Sequence, residues 1–246
     1  MTPPPDDPHL IAALGRAKTA DEVVAILAAQ YRLLFAADQV VELRAVKVRR
    51  GAGRPHTEAG FFDPAHRADM ARAALDVTRH AKAVYATLNP VRPDLLARRC
   101  NRLDWADDGE LTKDKDVLAR RWLLVDADPV RDPHVSATAA EKAAAFDTAL
   151  AVREHLRGQG WPDPVLADSG NGYHLLYRVE LPAGDGRVGR VLQALAARFD
   201  TAHVKIDTTV GNPARVCKVW GTVARKGDST PDRPHRRAAL LEVPAP

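Results

Sequence analysis

From residue 119 onward the chain changes periodicity in an order that few folds accept. An apolar run at 122–125 precedes a long Ala-rich segment with helical spacing, 139–159, and strand-like runs at 165–167 and 173–179 flank a Gly-rich turn. A second helical segment spans 187–199, and short strands are expected at 204–206, 214–219 and 239–243. This β-α-β-β-α-β order predicts a split βαβ, ferredoxin-like module over 119–246.

The first half reads as an accessory α/β module over 11–118, behind a Pro/Asp tail, 1–10, that is expected to be disordered. Helices are predicted over 20–35 with an Asp21 cap, over 64–80 and, briefly, over 93–100; strands are predicted over 40–48 and 83–88. The polar stretch 101–116 has charges but no apolar period, and is read as the loop dividing the halves. The expected class is α/β (α+β), with the two modules forming one integrated unit of 246 residues.

Composition excludes several classes. No apolar run approaches the roughly 18 residues that a membrane span needs, and MTPPPDDPHL lacks the basic segment and apolar core of a signal peptide. Cys100 and Cys217 are the only cysteines and lie far apart, which predicts a reducing, cytoplasmic setting. Without CxxC or HExxH no zinc is expected, so a catalytic metal would be oxygen-bound. The net charge is +4, and residues 201–246 hold eight Lys or Arg against four acids, which is the whole excess. A basic C-terminal surface suits a polyanion such as nucleic acid or a nucleoside triphosphate; a solvated Arg-rich face has the same composition.

Three segments carry chemistry. In Leu123-Leu124-Val125-Asp126-Ala127-Asp128-Pro129 two carboxylates sit two residues apart at the end of an apolar strand, so both share one face. Such a pair can hold divalent cations, and two metals roughly 4 Å apart can activate a hydroxyl while stabilising a leaving phosphate. Solvated acids opening a loop before Pro129 would also fit. In Asp168-Ser169-Gly170-Asn171-Gly172-Tyr173-His174, backbone N–H groups can cradle phosphate oxygens, with Ser169, Asn171 and His174 as further donors and Gly172 allowing close approach. An ordinary hairpin has the same turn residues. In Val204-Lys205-Ile206-Asp207 a third acid ends an apolar run and is followed by Asn212, Arg215 and Lys218, which can complete a metal shell and hold phosphates.

In this order, strand-DxD, SGxGxH and hydrophobic-Asp before a basic strand, the segments resemble the three motifs of the archaeo-eukaryotic primase superfamily. The likeness extends to its bacterial, phage and plasmid primase-polymerases through VELRAV near Glu42, GFFDPA at Gly60, VYATLNPV around Asn89, LLARRCNRL ending near Asn101, RRWLLVDADPVR, RVCKVWGT and RKGDSTPDRPHR, over about residues 39–243. The resemblance implies an α/β module packed on an RRM-like module, with the active site in the cleft between them.

It also implies the roles. Asp126, Asp128 and Asp207 would be the catalytic carboxylates and bind Mg²⁺ or Mn²⁺ as a two-metal site. Ser169, Asn171, Gly172, His174, Arg215 and Lys218 would contact the incoming nucleotide, and Lys226, Arg233, His235, Arg236 and Arg237 the nucleic acid. The activity would be that of a nucleotidyltransferase: a DNA primase and DNA polymerase using dNTP or NTP on a single-stranded DNA template, as a monomer. Some relatives carry a zinc-binding insert or a helical domain that assists initiation. This sequence has neither the cysteines for the one nor the length for the other, so it is expected to be minimal or to work with a helicase or a separate initiation-assisting domain.

Two other classes use some of the same residues. Asp126-Ala127-Asp128-Pro129-Val130 fits the DxDx[TV] of haloacid-dehalogenase-like phosphatases and Gly227 to Asp232 fits their GDxxxD acid motif, but that motif should end an apolar strand. A non-catalytic nucleic-acid-binding module is the other, though aromatic residues are only 5% and no cluster of them marks a stacking sheet.

Overall fold

The computed structural model describes residues 9–244. The expected tail therefore lies outside the described residues except for His9 and Leu10, which open helix α1 (His9–Arg16). The class is mixed α+β, built on two five-stranded antiparallel sheets.

Helix α2 (Ala20–Leu34) begins where expected, but its cap is Thr19, whose Oγ1 accepts from Glu22 N while Glu22 Oε2 accepts from Thr19 N. Asp21 sits in the first turn, where its charge favours the helix dipole. Strands β1 (Val41–Val48), β2 (His56–Phe62), β3 (Ala83–Thr87) and β4 (Asp104–Trp105) follow in the N-terminal half, with α3 (Arg67–Val77) between β2 and β3. Asp63 caps the 3₁₀ turn Pro64–His66 that leads into α3. That helix stops short of the predicted His80 because the chain turns at 78–81, where Thr78 Oγ1 accepts from Val223 N.

The C-terminal half contributes β5 (Ala119–Pro129), α4 (Ala139–Gly158), β6 (Val165–Asp168), β7 (Tyr173–Pro182), α5 (Arg187–Phe199), β8 (Val204–Ile206), β9 (Val216–Lys218), β10 (Val223–Ala224), β11 (Arg236–Arg237) and β12 (Ala239–Glu242). Their sheet runs β12-β6-β7-β5-β8, with every neighbour antiparallel. β7 lies between β5 and β6, which are parallel to each other, as the split βαβ order predicts. β5 and β7 are both longer than their apolar runs, because Ala119 and Arg120 continue the pairing with Pro182 and Leu181 past an irregularity at Arg121.

The N-terminal sheet runs β4-β2-β1-β3-β9. β9 comes from the C-terminal half and pairs with β3 through Ala86 and Cys217, so the boundary at 118/119 is crossed by the sheet itself. One hydrophobic core extends across both halves, from Leu27 and Tyr31 of α2 through Leu43 and Val84 to Leu123, Leu166 and Trp220. Tyr31 Oη donates to Trp220 O at 3.0 Å and Trp122 Nε1 to Leu34 O at 2.9 Å, locking α2 against both sheets. Asn89 joins them as well: its Oδ1 accepts from Arg121 N and Trp122 N while its Nδ2 donates to Pro213 O.

Two strands absent from the sequence reading belong to the N-terminal sheet. β2 runs unbroken through Gly60, where a Cβ would overlap the Arg102 carbonyl, so the residue that breaks the apolar alternation is the one that admits the 100–105 segment. That segment, expected to be only a divider, supplies edge strand β4, too short to show a period.

Candidate active site

The two sheets open on a cleft of about 490 Å³. Its acidic wall is made by strand ends. β5 pairs with β7 at Asp126 and His174 and with β8 at Asp128 and Lys205, and Asp207 N donates to Asp126 O at 2.9 Å. Asp207, far in sequence from the Asp126–Asp128 pair, thereby lines the same cavity. Asp207 Oδ1 accepts from Thr209 N and Oγ1, leaving Oδ2 without a partner among the described residues.

The acidic pair is electrostatically strained. Burial and then the Asp126 charge push the Asp128 carboxyl above its ordinary range, opposed by Arg131 and Lys226. Asp126 Oδ1 is buried without a hydrogen bond and lies 3.6 Å from His174 Nε2. Burial by itself would lower the His174 pKa; the Asp126 charge, helped by Cys217 at 3.5 Å from Nδ1, outweighs it and holds the imidazole well above its ordinary value. A buried carboxylate oxygen without a hydrogen bond, beside a second carboxylate, suits a divalent cation. The three acids are not preassembled as one ligand set: among the described residues no group of three or more His, Cys, Asp or Glu stands ready to hold a metal.

The Gly-rich turn closes the end of this wall. Ser169 Oγ accepts from Gly172 N, and Asn171 is buried with its Oδ1 accepting from Ala137 N. Both line the cleft. Gly172 is required by packing: a Cβ there would overlap Ala127 O and come 2.6 Å from Asp128 Oδ1. Lys142, itself buried, fixes the turn from behind through Asp168 Oδ1, which also accepts from Gly170 N.

The facing wall is cationic. Lys218 projects from β9, its Nζ donating to Thr222 Oγ1 at 2.8 Å and Val223 O at 3.2 Å, and burial lowers its pKa to about 7. Arg215 lines the cleft with its guanidinium braced on Asn212 Oδ1 and Thr209 O. Lys226 completes the rim close enough to Asp128 and Asp126 to feel their charge.

The remaining residues assigned to nucleic acid do not line the cleft. Arg233 forks onto Glu141 at 2.9 Å and donates to Ser136 O. His235 Nε2 contacts Gly227 O, Arg236 donates to Ala137 O and Arg237 to Gly221 O. Asp228 and Asp232 of the GDxxxD run are exposed, in the loop between β10 and β11, away from the cleft lining.

Several lining residues carried no signal in the sequence. Lys47 and Lys82 stand on the cationic wall, and Tyr85 faces the cleft between them and Lys218. Lys47 occupies a bulge in the β1–β2 pairing between Ala45 and Val48 and has φ 51°, an uncommon conformation outside glycine. Lys82 N donates to Val46 O and Arg225 N to Lys82 O, so three chain segments are stitched into this wall. Arg131 is a further residue: its side chain is 3% exposed and donates to Asp128 Oδ2 at 3.2 Å and Pro129 O at 2.9 Å, with Nη2 buried and unpartnered. It orients one of the two β5 carboxylates.

A larger, more open hollow of about 780 Å³ lies at the opposite end of β5 and β7. Its arginines are engaged, Arg120 by Ala183 O, Arg121 by Asp38 and Arg178 by Leu33 O, and none of the predicted site residues lines it. Among the described residues no helix is long and apolar enough to cross a membrane. No protein-family model matches the sequence, and no curated protein matches it significantly.

Proposed function

We propose that the chain is a DNA primase-polymerase of the archaeo-eukaryotic primase type, a nucleotidyltransferase that extends or starts strands on single-stranded DNA. The observation that carries this reading is the convergence of three separated segments on one cleft, with Asp126, Asp128 and Asp207 on one side and Lys218, Lys226 and Arg215 on the other. A polyphosphate between such walls meets cations along its length and carboxylates at the end where a metal is needed. The two-sheet arrangement, with β5 to β8 in split βαβ order, suits the accessory-plus-RRM-like architecture of that family.

In this reading Asp126, Asp128 and Asp207 would hold two divalent cations, and Mg²⁺ or Mn²⁺ there would supply activation of a 3′-hydroxyl and neutralisation of charge at the α-phosphate. The bond from the 3′-oxygen to the α-phosphorus forms as the bond to the β-phosphate oxygen breaks, pyrophosphate leaves and the hydroxyl proton passes to solvent. Ser169 and His174 face the triphosphate from the Gly-rich turn. Arg215 and Lys218 receive it from the β9 side, where a bound polyanion keeps the Lys218 amine protonated. Asn171 and Gly172 shape the turn, and Lys226 faces the acidic pair.

Synthesis with labelled nucleotides and Mn²⁺ or Mg²⁺, on unprimed and primed single-stranded DNA, tests the proposal. Metal-dependent product that disappears in Asp126→Asn/Asp128→Asn is expected. Product from the primed template alone would assign initiation to a partner, and none from either template would overturn the reading.

A further inference from the structure

A basic hairpin tip and an exposed aromatic stack lie outside the cleft lining. Between Leu43 and Thr57 the chain carries Arg44, Lys47, Arg49, Arg50 and Arg54 and no Asp or Glu. This segment is the β1–β2 hairpin, and its tip, 49–55, is exposed throughout. Arg50 is consumed by a forked pair with Glu58, at 2.9 and 3.1 Å. Arg49, Arg54 and Lys47 have no acidic partner among the described residues. At the base of the same hairpin Trp105 of β4 is 56% exposed, against 3% for Trp122 and 1% for Trp220. Its indole lies flat on the His56 imidazole, centroids 4.5 Å apart and planes within 5°. The imidazole is itself set between Arg54 O and Glu58 Oε1. Asp104, the nearest acid in sequence, is turned back onto Trp105 N.

We infer that the exposed Trp105–His56 stack, together with Arg49 and Arg54 of the adjoining hairpin tip, forms a platform for single-stranded nucleic acid, separate from the catalytic cleft. A flat aromatic held in place with an exposed ring accepts a base of any identity, and unpaired guanidinium groups nearby accept phosphates. Lys47 roots the hairpin in the cleft wall, two residues from its tip, so a strand leaving the cleft past Lys47 meets the hairpin next. The inference goes beyond nucleotidyl transfer and stands on surface chemistry of its own.

The test is fluorescence anisotropy with a labelled oligo-dT in metal-free buffer over a range of salt. Trp105→Ala is expected to weaken binding about tenfold with little change in salt slope, and Trp105→Phe to restore most of it. Arg49→Gln/Arg54→Gln should also weaken binding and reduce the log–log salt slope by about 1.4, the value for two lost phosphate contacts on a single strand. Oligo-dT should quench tryptophan emission in the wild type and not in Trp105→Ala. All of these residues are exposed, so the melting temperatures of the variants should match the wild type. Affinities within twofold of wild type for Trp105→Ala and Arg49→Gln/Arg54→Gln would overturn the inference. Loss of affinity in both variants while the wild type makes no product would retain the platform and remove the polymerase reading.

Discussion

The two walls of the cleft are built by opposite means. The acidic wall is built on strand ends, Asp126 and Asp128 on the long strand β5 and Asp207 directly after its paired neighbour β8, each where an apolar run ends. The cationic wall is assembled from a bulge at Lys47, a turn at Lys82, a short borrowed strand at Lys218 and a loop at Lys226. Regular strands fix the spacing of two carboxylates to the pleat, which a metal site demands. Irregular backbone can bring amines from four places onto one polyanion, whose charge tolerates looser placement. The acidic wall should therefore fail abruptly when altered and the cationic wall by degrees.

Asp126→Asn/Asp128→Asn should lower synthesis by about a thousandfold or more, measured as product per enzyme at saturating Mn²⁺, because the carboxylates meet the reacting centre itself. Gly172→Ala drives a methyl into Ala127 O and Asp128 Oδ1. It should destabilise the protein by about 1–3 kcal/mol in denaturant unfolding and reduce synthesis as well, since the strain falls on β5.

Arg131 separates geometry from charge within the acidic wall. Burial and Asp126 raise the Asp128 pKa and Arg131 lowers it, so Arg131→Met should raise it further. Asp128 would then be ionised only at higher pH, and the acid limb of Mn²⁺ binding, followed by electron paramagnetic resonance, should move upward. Arg131→Lys, which keeps the charge, should move it less.

On the cationic wall the effects are smaller. Lys218 has a folded pKa of about 7 against an ordinary value of 10.5. Below pH 7 both folded and unfolded chains carry the proton and the full burial penalty applies; between about 7 and 10.5 the unfolded chain binds more protons, so stability rises with pH. Lys218→Met should accordingly be more stable than wild type at pH 6, and the gap should shrink as pH approaches 10. Lys47→Gly relieves a left-handed side-chain-bearing residue, and should raise stability by up to about 1 kcal/mol while weakening nucleotide binding severalfold. An equally tight Lys47→Gly protein would remove that residue from the site.

How much of this is legible in the sequence follows the same division. The split βαβ order, α4 and α5, and the acids at strand ends could be read because apolar periods end sharply at them. Thr19 in place of Asp21 as the α2 cap turns on one hydroxyl geometry that composition does not display. β2 and β4 went unread because Gly60 breaks one alternation and two residues cannot make another. Lys47 and Arg131 escape because a bulge and a buried guanidinium are decided by tertiary pairing. The basic C-terminal stretch shows the converse: its charge is legible, yet Arg233, Arg236 and Arg237 turn their guanidinium groups to Glu141, Ala137 O and Gly221 O, and only orientation separates such residues from Lys226.

The central claim is template-directed nucleotidyl transfer in this cleft, and the most direct measurement is incorporation on homopolymer templates with each labelled nucleotide offered singly. The account predicts incorporation of the complementary nucleotide alone, one pyrophosphate released for each addition, and loss of both in Asp126→Asn/Asp128→Asn. Orthophosphate released without regard to template, or incorporation that persists in the double variant, would contradict it.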